Sequence, residues 1–176
     1  MNTRWYSSPL GKILLAADEI GICGLWFDGQ KYFAPGLPEV REEVETDLLA
    51  EARRWLDIYF SGREPAFSVP LHLIGTEFQR LVWELLRSIP YGETTTYGAL
   101  STAVAARLGR SSMSAQAVGS AVGHNPVSLL VPCHRVVGAD GSLTGYAGGI
   151  ERKLALLKLE KAQTEGLFAP KKETAF

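Results

Sequence analysis

The sequence has few cysteines and histidines and no long apolar run. Its 176 residues include 2 Cys and 3 His, and Cys23 and Cys133 lie far apart in the chain. A disulfide framework needs more cysteines and a zinc site needs closely spaced ligand pairs, so we expect at least one free thiol and no metal. No apolar stretch approaches the roughly 20 residues of a membrane-spanning helix, and the N-terminus lacks a secretory signal pattern. These absences predict a cytoplasmic protein with no membrane partner.

The charge of the chain is small in total but unevenly distributed. The net charge is −1, yet residues 1–77 carry 7 Lys and Arg against 12 Asp and Glu, whereas residues 78–161 carry 9 against 5. A polyanion is therefore expected to contact the second half of the chain. Hydrophobic residues make up 46% of the sequence, which is enough to build one domain or two small ones.

The first part of the sequence predicts a small antiparallel sheet followed by one helix. Turn signals rich in Pro, Gly and Asp separate three apolar segments, and Asp47–Phe60 carries apolar residues at helical spacing. The segment 63–74 contains two prolines and predicts a boundary, so residues 1–74 are expected to form an N-terminal α/β structural domain. The three strands are expected at Arg4–Ser7, Gly11–Ala17 and Ile22–Phe27.

The second part, residues 75–176, predicts a mainly helical C-terminal domain, which gives an α+β fold overall. Thr76–Gln79 forms a capping-box pattern that starts a helix ending near Ser88. Two short helices joined by a glycine-containing turn then suggest a helix-turn-helix. The tail 162–176 has little pattern and is expected to be loosely held. The later helices are expected at 96–108, 114–122 and 150–161.

Cys133 is the candidate reactive residue of the chain. Pro132 restricts the turn before it, and His134 and Arg135 offer positive charge that can lower the pKa of a thiol. A lone cysteine after an apolar segment is, however, more often a buried and inert residue. From these neighbours alone, a reactive and an inert thiol are equally expected.

Several motifs occur together in the second half of the chain. Around the cysteine the sequence is Val131-Pro132-Cys133-His134-Arg135-Val136-Val137. The others, in order, are Gly92-Glu93-Thr94-Thr95-Thr96-Tyr97, Ala117-Val118-Gly119, Gly123-His124-Asn125-Pro126, Thr144-Gly145-Tyr146-Ala147-Gly148-Gly149, Lys153 and Glu160. Together they resemble the O6-alkylguanine-DNA alkyltransferases, also called methylated-DNA:protein-cysteine methyltransferases.

This resemblance implies DNA repair by direct reversal. The alkyl group would pass irreversibly from O6-alkylguanine in double-stranded DNA to Cys133, once per molecule, with O4-alkylthymine as a second candidate substrate. The helix-turn-helix and the active-site cysteine turn would both lie in the C-terminal domain, which would bind DNA and transfer the alkyl group. Because the donor and the acceptor of the alkyl group are both present, the resemblance implies no cofactor.

The resemblance also implies a role for each residue around the thiol. Cys133 would attack as a thiolate, and His134 would take its proton through a water molecule. Glu160 would orient His134 and favour its charged form. Asn125 would brace the turn that holds Cys133, and Tyr97 would donate a hydrogen bond to N3 of the flipped base. Without the resemblance, a solvated acid is the expected interpretation of Glu160 and a surface aromatic that of Tyr97.

Further residues are implied in holding the base. Tyr146 and Ala147 belong to a loop that resembles the lid of the base pocket. Backbone groups near Cys133, Val136 and Ala147 would recognise the base. Lys153 matches a position near that lid, and a solvated helix lysine is the competing interpretation.

The predicted helix 114–122 is implied in minor-groove binding. Small side chains let a helix approach a shallow groove, although they equally suit a helix packed inside the protein. The implied DNA contacts on this helix are Ala115, Gln116, Ala117, Gly119 and Ser120.

Gln116 departs from the family pattern, since most relatives carry an intercalating arginine at that position. A short insertion also lies between Tyr97 and Gln116. We expect Gln116 to fill the gap left by the flipped base through hydrogen bonds to the orphaned cytosine. We also expect weak, salt-sensitive DNA binding, carried by residues that include Arg107, Arg110 and Arg135.

The protein is expected to be monomeric in solution. Three other functions compete with alkyl transfer as interpretations of the sequence. An alkyltransferase-like damage sensor typically has tryptophan in place of the cysteine. A thiol hydrolase needs a direct contact between Cys133 and His134, which an extended turn disfavours. A helix-turn-helix regulator would bind DNA tightly and sequence-specifically with Cys133 dispensable.

Overall fold

The computed structural model describes residues 1–38 and 42–170 and has the predicted α+β architecture. The chain divides into two compact units. The first unit holds residues 1–74 and Pro126–Leu130, and the second holds residues 75–125 and the chain from Val131 onward. Among the described residues, no helix is long and apolar enough to cross a bilayer.

The first unit contains the predicted three-stranded antiparallel sheet. β1 (Asn2–Ser8), β2 (Gly11–Ala17) and β3 (Ile22–Phe27) pair in the order β1-β2-β3. Every residue of β3 is buried, and so are the last five residues of β2. Since side chains alternate between the two faces of a strand, consecutive burial means that both faces of these strands are covered.

The helix α1 (Asp47–Phe60) covers part of this sheet and has the predicted bounds. The Thr46 side chain accepts a hydrogen bond from the backbone of Leu49 and so caps the first turn. The helix ends at Phe60, Ser61 is its C-cap, and Gly62 follows with a φ of 87°. Local capping therefore sets both ends of α1.

A strand-like segment from later in the chain joins the first unit. Leu25 donates its backbone amide to the Pro126 carbonyl at 2.9 Å, and Ser128 donates to the Leu25 carbonyl at 3.1 Å. These bonds explain why Pro126–Leu130 groups with the sheet, although the sequence places it within the second domain.

The second unit is mainly helical, as predicted. The capping box at Thr76 and Gln79 is present, with each side chain accepting a hydrogen bond from the other residue's backbone. Trp83 donates its indole N–H to the Ala121 carbonyl at 2.8 Å, which ties the first of these helices to the third. The helices are α2 (Glu77–Leu86), α3 (Tyr97–Arg107), α4 (Ala115–Gly123) and α5 (Ile150–Leu159).

Two short features around the cysteine were not predicted. Cys133–Arg135 forms a 3-10 turn, not the extended turn expected from the sequence. It leads into β5 (Val136–Val137), which pairs in parallel with β4 (Thr95–Thr96). Elements of two or three residues are too short to display a hydrophobic period.

The C-terminal tail is better held than expected. Phe168 donates its backbone amide to the Gly141 carbonyl at 3.1 Å and accepts a hydrogen bond from Leu143 at 2.9 Å. Leu167 packs on a cluster formed by buried residues that include Leu157. The expectation of a loose tail is therefore wrong for residues 162–170, and residues 171–176 lie outside the described part.

Candidate active site

Cys133 begins the 3-10 turn and is only 5% exposed. Asn125 donates from Nδ2 to the Val131 carbonyl at 2.8 Å, and Cys133 donates its backbone amide to the same carbonyl at 2.9 Å. Asn125 thus lies where the predicted brace would be. Burial raises the pKa of the Cys133 thiol, while the hydrogen bond with Asn125 and the positive charge of Lys153 act in the opposite direction.

A buried carboxylate organises the residues that follow the cysteine. Glu160, at the C-terminal cap of α5, is 2% exposed, so the solvated acid considered from the sequence is wrong. His134 Nε2 and Arg135 Nη2 both contact Glu160 Oε1, at 2.7 and 2.9 Å. Arg135 Nε and the Gly92 backbone amide donate to Oε2, at 2.9 and 3.2 Å. Four donors therefore satisfy this carboxylate inside the protein.

Arg135 occupies this network and does not face solvent. Its guanidinium also donates to the Ile89 carbonyl at 2.7 Å, and the residue is 8% exposed. A guanidinium bound in this way has few donors left for a phosphate. The expectation that Arg135 helps to hold DNA is therefore corrected, whereas Arg107 and Arg110 are exposed and remain predicted phosphate contacts.

The imidazole of His134 is buried beside the Glu160 carboxylate. Burial lowers the pKa of His134, more than the Glu160 carboxylate raises it. The side chain is therefore neutral, and the expectation that Glu160 favours its charged form is corrected. Because a carboxylate only accepts hydrogen bonds, the proton of the neutral imidazole is on Nε2. The lone pair is then on Nδ1, which is the nitrogen able to receive a proton from the thiol.

Tyr97 and Lys153 meet at one backbone carbonyl. Tyr97 Oη and Lys153 Nζ each donate to the Thr144 carbonyl oxygen at 2.8 Å. Tyr97 is buried and Lys153 is 0% exposed, so the surface aromatic and the solvated lysine considered from the sequence are both wrong. Burial raises the pKa of Tyr97 and lowers that of Lys153 to about 8.

The glycine-rich loop 138–149, which follows β5, supplies a buried aromatic ring. Tyr146 lies edge-on to His134, with 6.5 Å between the ring centres, and Ala147 follows it at partial exposure. A Cβ atom on Gly148 would lie 2.7 Å from Tyr146 Cε1. The glycine therefore leaves the space that the Tyr146 ring occupies. Val136, in β5, is fully buried.

We expect Gly148→Ala to slow alkyl transfer by about tenfold to a hundredfold, because a shift of about 1 Å in a reacting site can cost that much. The new methyl group must push the Tyr146 ring from its place. Single-turnover repair rates measure the effect. Gly98→Ala is the matched control, since a Cβ at that helical position would make only an ordinary van der Waals contact, 3.9 Å from Thr96 Oγ1. Equal rates for the two variants would contradict the packing role of Gly148.

The helix α4 presents only part of its predicted DNA face. Ala115 and Gln116 are exposed, and Ala117 and Ser120 are half-buried. Gly119 is buried on the side that packs inside the unit, so the structure does not support its expected place in a DNA-facing surface. Small residues of this helix therefore occur both on its packed side and in its first turn, which is exposed.

Sequence reasoning missed three contributors that act through their backbones. Thr144 and Ile89 offer carbonyl oxygens, and Gly92 offers an amide. Gly92 has a φ of 78°, which a glycine adopts without strain, and this conformation turns its amide toward Glu160. Gly92 and Thr144 both lie within motifs quoted from the sequence, but no backbone role was predicted for either of them. Within residues 1–38 and 42–170, no group of three His, Cys, Asp or Glu side chains could hold a metal ion.

Comparison with known proteins gives matches over both units. Residues 1–73 match the ribonuclease-like domain of 6-O-methylguanine DNA methyltransferase, and residues 77–162 match its DNA binding domain. A methylated-DNA–protein-cysteine methyltransferase of Mycobacterium bovis is 53% identical over 160 residues, covering 91% of this chain and 92% of the relative. The corresponding protein of Mycobacterium leprae is 44% identical over 163 residues, covering 93% and 94%.

Solved structures give the same relationship. The crystal structure of Mycobacterium tuberculosis OGT in complex with DNA matches this fold with a TM-score of 0.78 and 41% identity. The match covers 92% of this chain and 93% of that one.

Proposed function

Because the chain belongs to the 6-O-methylguanine DNA methyltransferase family, we propose that Cys133 accepts the alkyl group of O6-alkylguanine in double-stranded DNA. The protein repairs DNA by direct reversal, and the transfer is irreversible. The observation that carries the choice of Cys133 is its place at a braced turn, next to a neutral histidine held by a buried carboxylate. Burial and the negative charge of Asp18 raise the pKa of Cys23 to about 11, so little of its thiolate forms near neutral pH.

The chemistry is a displacement at the alkyl carbon. The thiol proton of Cys133 passes through a water molecule toward His134 Nδ1, and the sulfur forms its bond to carbon as the carbon–O6 bond breaks. The leaving guanine gains one proton, which replaces the one lost by the thiol, and a hydrogen bond from Tyr97 to N3 stabilises the developing charge. The product is a thioether, from which the cysteine thiolate leaves too poorly for water or another thiol to remove the alkyl group, so each molecule reacts once.

DNA binding must position the lesion for this step. The nucleotide has to leave the stack, at a cost of about a few kcal/mol. The exposed first turn of α4 fits a shallow minor groove, with Ala115 and Ala117 allowing close approach and Gln116 reaching toward the gap. Ser120, half-buried on the same helix, and the backbone around Val136 and Ala147 complete the proposed contacts.

Two features of the setting remain predictions from the sequence. We place the protein in the cytoplasm, and we expect it to act as a monomer without a cofactor. The alkyl donor and acceptor account for every atom transferred.

Intact-mass measurement tests the proposed function. The wild-type protein is incubated with a duplex that carries one O6-methylguanine. We expect the protein to gain one methyl group in place of one hydrogen, in step with repair of the oligonucleotide. Binding of the lesion without any change in mass would instead identify a damage sensor.

We expect Gln116→Ala to lower the repair rate on duplex DNA by about tenfold, since hydrogen bonds to the orphaned base contribute about 1 to 1.5 kcal/mol. Repair of a single-stranded oligonucleotide should change little, because no orphaned base exists there. Gln163→Ala, at another exposed position, is the control. An unchanged rate and affinity on damaged duplex would remove Gln116 from this role.

A further inference from the structure

The carbonyl oxygen of Thr144 accepts two hydrogen bonds inside the site. Tyr97 Oη donates at 2.8 Å from the start of α3, and Lys153 Nζ donates at 2.8 Å from α5. A carbonyl oxygen has two lone pairs, so these two donors fill its capacity. Thr144 thereby joins both helices to the loop that leads to Tyr146.

Burying the ammonium group of Lys153 in this arrangement is energetically unfavourable. Lys153 is fully buried, and moving an ammonium group out of water is unfavourable unless it is paired. A hydrogen bond from an ionised donor is also stronger than one from a neutral hydroxyl. The Thr144 carbonyl is therefore held more firmly by Lys153 than by Tyr97.

The proposed chemistry requires the Tyr97 hydroxyl to donate to the base. In the present arrangement that hydroxyl donates to Thr144, so it must exchange one acceptor for another when the base enters. A buried carbonyl that loses its donor carries an energetic penalty. With Lys153 still bonded to the oxygen, the carbonyl stays paired during the exchange.

We propose that Lys153 is a positioning residue that frees the Tyr97 hydroxyl for the base by keeping the Thr144 carbonyl hydrogen-bonded. This inference rests on the proposed function, because it requires Tyr97 to serve the leaving guanine. The ring of Tyr97 lies 5.8 Å from Lys153 Nζ, close enough for the ammonium charge to favour the position of the ring as well. Lys153 acts here through Tyr97 and does not itself touch the base.

A double-mutant comparison separates this role from a general effect on the thiol. Two rates are measured for each variant: repair of O6-methylguanine in duplex DNA, and alkylation of Cys133 by iodoacetamide. Iodide leaves without a proton, so the second reaction reports the thiol alone and needs no help from Tyr97. The variants are Lys153→Met, Tyr97→Phe, the double variant, and Lys153→Arg, which retains charge and donors.

We expect Lys153→Met to slow repair by about ten to a hundred times more than it slows alkylation by iodoacetamide, as an unpaired buried carbonyl implies. In the Tyr97→Phe background this excess should disappear. Lys153→Arg should recover part of it. An excess that persists without the Tyr97 hydroxyl, or no excess at all, would overturn the proposal.

The outcomes also distinguish failure of the underlying function. If the wild-type protein never gains the methyl group, the proposed function itself fails, and this inference fails with it. If Tyr97→Phe repairs at the wild-type rate, alkyl transfer stands but Tyr97 does not serve the base, and the role of Lys153 is overturned alone.

A structure of the protein on damaged DNA gives a second test that does not depend on a Lys153 variant folding. The inert Cys133→Ser protein is bound to a duplex with O6-methylguanine. We expect Tyr97 Oη on the base and Lys153 Nζ still on the Thr144 carbonyl. A Tyr97 hydroxyl that remains on Thr144 beside the bound base would overturn the proposal, as would a Lys153 that has left it.

Discussion

Replacing Cys133 by serine is expected to abolish alkyl transfer, lowering the single-turnover rate by at least about a thousandfold. A serine hydroxyl keeps its proton at neutral pH and is a weak nucleophile without a strong adjacent base. Burial lowers the pKa of His134, so this imidazole is too weak a base to generate an alkoxide from serine in useful amounts. The intact mass of the variant should stay unchanged after incubation with damaged duplex, while binding of that duplex is retained.

Cys23→Ser is the matched control for this experiment. Cys23 is the other free cysteine, lies on β3 and is buried. Burial raises its pKa to about 11, so little thiolate forms near neutral pH. This variant should gain one methyl group at the wild-type rate. If Cys133→Ser gained a methyl group, or if Cys23→Ser failed to gain one, Cys133 would not be the sole acceptor and the proposed assignment would be wrong.

Much of the fold could be predicted because its elements are long enough to show a pattern. The strands of the first unit are separated by turn signals, and residues next to α1 in the sequence cap both of its ends. The 3-10 turn at Cys133–Arg135 and the bridge between Ser142 and Phe168 have no such pattern. They depend on contacts between residues that lie far apart in the chain.

The candidate site was predictable by residue type and less so by environment. His134 and Tyr97 were identified by resemblance, yet nothing local in the sequence distinguishes a buried Glu160 or Lys153 from a solvated one. Both lie toward the inner side of a helix that also carries exposed charges such as Glu151. Whether these side chains are buried depends on their hydrogen-bond partners. Several of those partners are backbone groups, which a motif of side chains does not reveal.

The error on Arg135 has the same origin. An arginine beside a reactive cysteine is compatible with binding a phosphate and with binding a carboxylate. The carboxylate that it binds is 25 residues away in the sequence. Bidentate pairing with Glu160 then makes Arg135 part of the scaffold under the 3-10 turn, which keeps His134 and Cys133 in a fixed relation.

Glu160→Gln is expected to destabilise the protein by about 3 to 5 kcal/mol, because removing one partner of a buried ion pair leaves the other uncompensated. Arg135 would keep its charge inside the protein with a neutral amide as neighbour, and the amide N–H₂ would face donors. That loss is a large part of the about 5 to 15 kcal/mol typical of folded proteins. Denaturant unfolding measures it, with Glu151→Gln, an exposed acid on α5, as the control.

The contribution of Glu160 to the free energy of unfolding is expected to depend on pH. Burial disfavours the Glu160 carboxylate, but hydrogen bonds from His134 and Arg135, together with the charge of Arg135, outweigh it and hold the pKa of Glu160 well below its ordinary 4.5. A depressed folded-state pKa contributes stability that is full above about pH 4.5 and is lost as the pH falls below it. The wild-type and Glu160→Gln unfolding free energies should therefore converge on acidification. A gap that stays constant from neutral pH to pH 3 would show that the carboxylate charge is not what holds Arg135 and His134 in place.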